Sequence, residues 1–124
     1  MAKLSDEPRI ALEAQQGRIH LRMTALLMGR DLSVTLSGGD RPHIGAVALA
    51  APRAPASVLS RPNHREDTLA QQIAITLATE LNATVCVTCG IHLENILENE
   101  INVILKMADA LTRQLSRHLE GISR

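Results

Sequence analysis

Two neighbouring segments of this chain alternate between apolar and polar residues, and this pattern constrains the fold more than any other feature. The apolar residues occupy every second position (Ile19, Leu21, Met23 and Ala25, then Leu32, Val34 and Leu36). A period of two places these side chains on one face of a β-strand. Because Gly29-Arg30-Asp31 is a turn signal between the two segments, we predict a β-hairpin with one buried face.

Four further strands are predicted around this hairpin. They cover residues 9–13, 43–50, 58–60 and 84–89. The last is a β-branched run that Gly90 interrupts. The segment 43–50 is rich in small residues, which indicates that a helix or a ligand packs close to its backbone. The polar face of the hairpin carries Arg18, His20 and Arg22, so this face is either exposed to solvent or part of an interface.

Two helices are also predicted. The first follows Pro62 and ends at Asn82, and the second covers about 96–119. Each begins with a capping box, in which a polar N-cap is followed three residues later by Glu (Asn63 with Glu66, and Asn95 with Glu98). On the second helix, apolar residues share one face (Ile101, Ile104, Leu105, Ala108, Leu111 and Leu115). Both helices are therefore expected to lie on a core.

The order of the elements indicates the fold class. Strands come first, followed by a helix, a strand and a helix, which is typical of an α+β layer. We predict an α+β fold in which an antiparallel β-sheet has two α-helices packed on one face. The 124 residues suit a single domain over 1–124, with an ordered part of about 9–121.

The composition argues against several functions. Lys plus Arg and Asp plus Glu both total 13, and there is no Phe, Trp or Tyr. Nucleic-acid binding needs a basic excess or stacking rings, so we expect no nucleic-acid partner. No apolar run reaches the ~20 residues of a membrane span, and the first residues lack a secretory pattern. We therefore expect no membrane association and a cytoplasmic location, which the two cysteines also suit.

Three histidines stand at the edges of predicted elements. His43 lies at a turn-to-strand junction, His64 at a helix start and His92 at a strand-to-helix corner. If these edges converge, the three imidazoles form a candidate site for a metal ion or a phosphate. The alternative is three separate surface histidines, and the spacing alone does not decide between the two.

The segment before the first helix is rich in cationic groups. Arg61, His64 and Arg65 lie where free N–H groups and the helix dipole favour an anion. Glu66 and Asp67 belong to the same segment, and the simpler explanation makes them first-turn partners of the dipole.

The segment Ser37-Gly38-Gly39-Asp40 is a second candidate for anion binding. Its backbone amides could form a nest around a phosphate. A plain hairpin turn explains the two glycines equally well.

Cys86-Val87-Thr88-Cys89 matches C-x-x-C, but the predicted setting does not suit redox chemistry. Reactive pairs open a helix, whereas these cysteines lie in a strand, and their odd spacing sends them to opposite faces. We interpret both as buried small residues and not as a dithiol or a zinc site. Cys89 and His92 are a weak candidate for a thiolate pair, because no third group orients them. We therefore predict a protein that is not an enzyme.

Three motifs, taken together, resemble one small bacterial family. They are Gly38-Gly39-Asp40-Arg41-Pro42-His43-Ile44-Gly45-Ala46-Val47-Ala48, then Pro62-Asn63-His64-Arg65-Glu66-Asp67, then Cys89-Gly90-Ile91-His92-Leu93-Glu94-Asn95 with Glu100-Ile101. In order and spacing they resemble the small accessory proteins found beside gallate decarboxylase, a family regarded as prenylated-flavin chaperones. The resemblance runs from about residue 9 to residue 119.

The resemblance implies a proteasome-assembly-chaperone-like fold and a homodimer. It also implies that the protein holds reduced prenylated FMN and passes it to an apo-decarboxylase of the reversible aromatic-acid type. An alternative is a protein-only assembly subunit of a decarboxylase with no small-molecule ligand. The motifs and the cationic segment together give the candidate cofactor-binding residues (Gly38, Gly39, His43, Arg61, His64, Arg65, Gly90 and His92).

Overall fold

The computed structural model describes residues 1–4, 9–62 and 66–121. Within these ranges the strands are β1 (Arg9–Gln16), β2 (Ile19–Met28), β3 (Asp31–Gly39), β4 (Ala46–Ala50), β5 (Ser57–Ser60) and β6 (Val85–His92). The helices are α1 (Asp67–Leu81) and α2 (Glu98–Glu120). The described elements therefore follow the predicted order of strands, helix, strand and helix.

The strands form one sheet in the order β1-β2-β3-β6-β4-β5. Neighbouring strands are antiparallel except for β3 and β6, which are parallel. Since β5 and β6 are each antiparallel to β4, they also share a direction, and α1 makes the crossover connection that this requires. The sheet is thus antiparallel, as predicted, in all its pairs but one.

Both helices pack on the same face of the sheet. α1 lies against β4, β5 and β6, whereas α2 lies against β1 and β2. The buried residues of the hairpin are those that the alternation selects, and they join the helix stripes in one core (Leu21, Met23, Val34, Leu36, Leu77, Val87, Leu115 and Leu119 among others). The predicted α+β class, with two helices on one sheet face, is confirmed.

Outside the hairpin, three of the four strands differ from a predicted bound by three residues. β1 continues to Gln16, because β2 pairs with it along its whole length. β6 continues through Gly90 to His92, where it pairs with the end of β3, so Gly90 does not end the strand. β4 begins only at Ala46, because the preceding residues form an irregular loop. For β1 and β6 the neighbouring strand, and not the local pattern, determines where the strand ends.

Both helices have N-caps later than the predicted ones. At α1 the N-cap is Glu66, whose side chain makes no capping hydrogen bond, and the contacts of Asn63 lie outside the described residues. At α2 the N-cap is Leu97, whose N–H donates to Oε1 of Glu100 at 3.0 Å. Asn95 has a left-handed φ of 51°, which places it in the preceding turn and shifts the helix start by two residues.

One part of the predicted apolar face of α2 is exposed. Ile101 and Leu105 are 44% and 45% exposed. Eleven residues make about three helical turns, so these two lie on the same side of α2 as the buried Thr112 and Ser116. α1 covers this side near Ser116, whose hydroxyl contacts Glu80 at 3.4 Å. Near the start of α2 this side is open, and the prediction that both residues are buried is wrong.

Neither described helix lies on the second face of the sheet. Its central part, in the described strands β2, β3, β6, β4 and β5, carries hydroxyl, thiol and aliphatic side chains and no charged ones (Thr24, Leu26, Ser33, Thr35, Ser37, Val47, Leu49, Leu59, Cys86 and Thr88). We call these ten residues the uncovered face. Charged pairs stand beside it toward β1, where Arg22 contacts Glu13 at 2.7 Å. Neither described helix combines the length and apolarity needed to cross a membrane.

Candidate functional site

The three motifs meet at one end of the sheet, where β3 and β6 end and β4 begins. The N–H of Asp40 donates to the carbonyl oxygen of His92 at 2.6 Å, and the N–H of Gly45 donates to that of Cys89 at 2.9 Å. The N–H of Arg61 donates to the carbonyl oxygen of Gly45 at 2.8 Å, which adds the segment before α1. Segments that are distant in sequence therefore form one structural unit, which we call the motif end of the sheet.

Glycines allow the backbones at the motif end to approach closely. A Cβ added at Gly90 would overlap the carbonyl oxygen of His43, and one added at Gly39 would overlap that of His92. Gly39 also has a φ of 76°, which side chains disfavour. Gly39 ends β3, and the amide of the next residue, Asp40, is donated to the carbonyl oxygen of His92. Anion binding by the rest of residues 37–40 stays a prediction.

His43 and Glu66 form a largely buried pair. Their side chains are 19% and 12% exposed, and Nε2 of His43 lies 2.9 Å from Oε1 of Glu66. The other ring nitrogen, Nδ1, lies 3.0 Å from the carbonyl oxygen of Arg41. The same Glu66 oxygen accepts the N–H of Ile91 at 3.3 Å. One carboxylate thus contacts a side chain of the loop before β4 and the backbone of β6.

His92 stands in a more open, charged group. Its side chain is 44% exposed, and its Nε2 lies 3.2 Å from Oε2 of Glu94. Arg41 donates to the same oxygen at 3.3 Å, and the N–H of Glu94 donates to Asp40 at 2.8 Å. The imidazole of His92 is therefore held at the surface of the motif end, where it is partly exposed to solvent.

The cationic segment is described only in part. The exposed guanidinium of Arg61 donates to the carbonyl oxygen of Ile44 at 3.1 Å. Asp67 accepts the N–H of Thr68 at 2.9 Å, as the simpler explanation of a first-turn acid expects. His64 and Arg65 lie outside the described residues, so their predicted role in anion binding stays a prediction.

The described residues, 1–4, 9–62 and 66–121, contain no group of three or more His, Cys, Asp and Glu side chains that could hold a metal ion. His43 and His92 do reach the same end of the sheet, but each turns to a different carboxylate. The metal hypothesis also needs His64, which is outside the described residues. It stays a prediction.

The two cysteines lie on opposite faces of β6, as predicted. Cys86 is half-buried and Cys89 is buried, and both are free thiols. Burial, with a smaller effect from the charge of Glu66, raises the pKa of Cys89 to about 12. Such a thiol remains protonated at neutral pH and is a poor nucleophile. The thiolate pair of Cys89 with His92, already weak from the sequence, has no support in the structure.

Arg18 does not lie on the exposed sheet face where the alternation placed it. Its guanidinium crosses to α2 and forms two hydrogen bonds of 2.8 Å with Glu100. The hydrogen bond from Arg18, assisted by the backbone N–H of Leu97, lowers the pKa of Glu100 to about 2. This pair fastens the turn between β1 and β2 to the start of α2, close to the motif end.

This pair predicts a specific dependence of stability on pH. Because the folded-state pKa of Glu100 is depressed from 4.5 to about 2, its stabilising effect is full above the unfolded value and is lost as pH falls through about 2. We expect wild type to be more stable than Glu100→Gln at neutral pH, with the difference shrinking below about pH 4.5. Urea unfolding of both proteins at several pH values measures it.

Glu98→Gln, in the same helix turn but with no described ion pair, is the matched control. A stability difference between wild type and Glu100→Gln that stays constant from neutral pH to pH 2 would contradict the assignment.

Three acidic residues of the motif end are absent from the site set derived from the sequence: Asp40, Glu66 and Glu94. Glu66 has the spacing of a capping-box residue, so the sequence pattern alone does not indicate its contacts at the site. All three lie inside the motifs that carry the family resemblance, which is the signal that could have identified them.

The fold and the site define a small α+β domain in which three motifs converge on a polar end of one sheet. A family model described as the prenylated flavin chaperone LpdD-like domain matches residues 15–120. The chain belongs to this family of prenylated flavin chaperones.

An individual relative agrees with this assignment. The chain is 27% identical over 112 residues to Protein LpdD of Lactiplantibacillus plantarum, covering 86% of this chain and 82% of that protein. Among solved structures, a chain of a chaperone complex for yeast 20S proteasome assembly is similar, with a TM-score of 0.47 and 16% sequence identity. That match covers 86% of this chain and 98% of the yeast chain.

Proposed function

We propose that the protein binds reduced prenylated FMN and delivers it to an apo-decarboxylase of the aromatic-acid type. Membership of the prenylated flavin chaperone family supports this role. The convergence of the three motifs at one end of the sheet is the observation that links this role to a site. The role needs no catalytic residue, and the two free cysteines suit a reducing cytoplasm.

The groups at the motif end fit an anionic cofactor. Arg61 has an exposed guanidinium with five N–H donors, of which one is donated to Ile44, and His92 presents a half-exposed imidazole. We propose that these two residues, with His64 and Arg65, bind the phosphate. Gly38, Gly39, His43 and Gly90 then shape the site around it. No aromatic side chain is available for stacking on the flavin ring, which favours release to the partner enzyme.

We further propose that the protein is a homodimer that buries the uncovered face. An uncharged sheet face five strands wide is unusual on a free surface and suits sheet-on-sheet packing. Leu49 lies on β4, beside the central strand β6, and is 50% exposed, so Leu49→Glu should give a monomer. Sedimentation of wild type and variant measures this, and a wild-type monomer at all concentrations would contradict it.

The uncovered face also favours a second candidate, a protein-only assembly subunit of a decarboxylase. In that case the same face contacts the enzyme, and no small molecule is bound. The two candidates differ in one measurable property, which is saturable binding of the cofactor.

An anaerobic absorbance titration with reduced prenylated FMN, and with ordinary reduced FMN as a reference ligand, tests the proposal. Because the chain has no Trp or Tyr, nearly all of the near-ultraviolet signal comes from the ligand. We expect saturable binding of the prenylated form, weakened about tenfold by Arg61→Ala and by His92→Ala, as the loss of about 1.4 kcal/mol implies.

Exposed residues of the same types on α2, changed in Arg113→Ala and His118→Ala, are the matched controls and should bind as wild type does. Absence of binding by wild type, together with a stable complex with the apo-decarboxylase, would replace the proposal by the assembly-subunit role. Unchanged binding by both site variants would remove the phosphate assignment only.

A further inference from the structure

The Glu66 side chain stands at a point where all three motifs touch. It belongs to the second motif, it contacts His43 of the first, and it accepts the N–H of Ile91 of the third. It makes no capping hydrogen bond to its own helix. These contacts of Glu66 are therefore with residues more than twenty positions away in the chain.

The partners of His43 determine how protons are shared in this pair. The carbonyl oxygen of Arg41 only accepts, so Nδ1 of His43 carries a hydrogen. Nε2 then faces Oε1 of Glu66 at 2.9 Å, and such a contact requires one proton between the two atoms. Whichever atom holds that proton, both imidazole nitrogens are engaged. His43 is then not available to ligate a metal ion or to donate to a phosphate.

The second oxygen of Glu66, Oε2, is closely packed against the backbone of Gly45. Oε2 is buried and has no hydrogen-bond partner among the described residues. A Cβ added at Gly45 would overlap this oxygen, so the carboxylate fills the space that the glycine leaves. An unpaired buried acceptor is destabilising, and it persists here because the contacts of Oε1 and the shape of the Gly45 backbone fix the side chain.

We propose that Glu66 is a positioning residue for the cargo site at the motif end. It holds the ring of His43 and the end of β6 in one arrangement, and it thereby positions the adjacent His92 without touching the cargo itself. This inference rests on the proposed function, because the cargo is the reduced prenylated FMN named there. It reassigns His43 from ligand contact to support, and it leaves Arg61 and His92 as the described groups that meet the cargo.

Two variants that disturb the carboxylate differently test the proposal. Glu66→Ala removes it, whereas Gly45→Ala retains every polar group and displaces the carboxylate with a methyl group. Each should weaken binding of reduced prenylated FMN about tenfold. In the double variant the loss should be no larger than in the worse single one, because both changes act through the same carboxylate. Glu98→Ala, an exposed carboxylate on α2, is the control and should leave binding unchanged.

Hydrogen exchange of the Ile91 amide in cargo-free protein provides a readout that does not depend on the cofactor. Both variants should speed this exchange about tenfold or more relative to wild type, while amides of the β2–β3 pair remain protected. Unchanged Ile91 exchange in Glu66→Ala would overturn the contact on which the proposal depends.

Faster Ile91 exchange with undiminished cargo binding in both variants would overturn the positioning role and leave Glu66 a structural residue. A failure of the proposed function looks different, because then wild type itself binds no cofactor. In that case Ile91 exchange still measures the contact between Glu66 and the Ile91 amide, whereas the proposed effect of Glu66 on cargo binding is contradicted together with the function.

Discussion

Gly90→Ala should destabilise the protein by about 3 kcal/mol or more. Gly90 is buried within β6, and a methyl group there would overlap the carbonyl oxygen of His43. The obstacle is backbone and not the end of a flexible side chain, so relief requires the loop before β4 to move away from β6. Denaturant unfolding measures the loss, and we expect a lower midpoint with an unchanged slope.

Gly121→Ala is the matched control for this change. Gly121 follows α2 with a φ of −81°, and the nearest atom to an added Cβ is the carbonyl oxygen of His118 at 3.6 Å, an ordinary contact. Its effect on the free energy of unfolding should stay within about 0.5 kcal/mol. Equal effects at the two glycines would mean that β6 and the loop before β4 are not packed as closely as described.

Leu115→Ala should also have a large effect, of about 3 kcal/mol within the usual range for buried leucines. Leu115 is 0% exposed and belongs to the core between α2 and the sheet. Its truncation removes apolar contacts and leaves a cavity, because helix and sheet relax only in part. The thermal midpoint and the free energy of unfolding both measure the loss.

The matched control lies on the same helix. Leu105 is 45% exposed, so Leu105→Ala should cost about 1 kcal/mol or less. A cost at Leu105 as large as that at Leu115 would show that this part of α2 is covered in solution. It would then favour the buried apolar face predicted from the sequence.

The strands of the hairpin could be predicted because their pattern is local. The alternation from Ile19 to Leu36 selects the residues that face the core, and the structure places them there. The helix starts could not be predicted in the same way. The spacing of Glu66 matches a capping box, but its carboxylate finds a better partner in His43, which is far away in the sequence. A pattern of neighbouring residues contains no information about a partner that is so distant in the sequence.

The candidate site could also be predicted only in part. His43, Gly90 and His92 do meet at one end of the sheet, as the edges of their elements suggested. Gly38 and Gly39 belong to the predicted site, but their role is to allow strands to approach, which only the register of β3 against β2 and β6 reveals. The exposure of Ile101 depends on where α1 ends its cover of α2, and no single-helix pattern contains this information.

The position of β6 in the sheet affects folding during synthesis as well as the structure of the folded chain. β6, the last of the described strands, is inserted between β3 and β4, which have no direct pairing with each other. During synthesis, β3 and β4 therefore each have an unpaired edge until residues 85–92 have left the ribosome. Open strand edges are sites of unwanted association, and contacts between distant segments form slowly. Prematurely terminated or stalled chains that stop before β6 are accordingly the form of this protein most prone to aggregate.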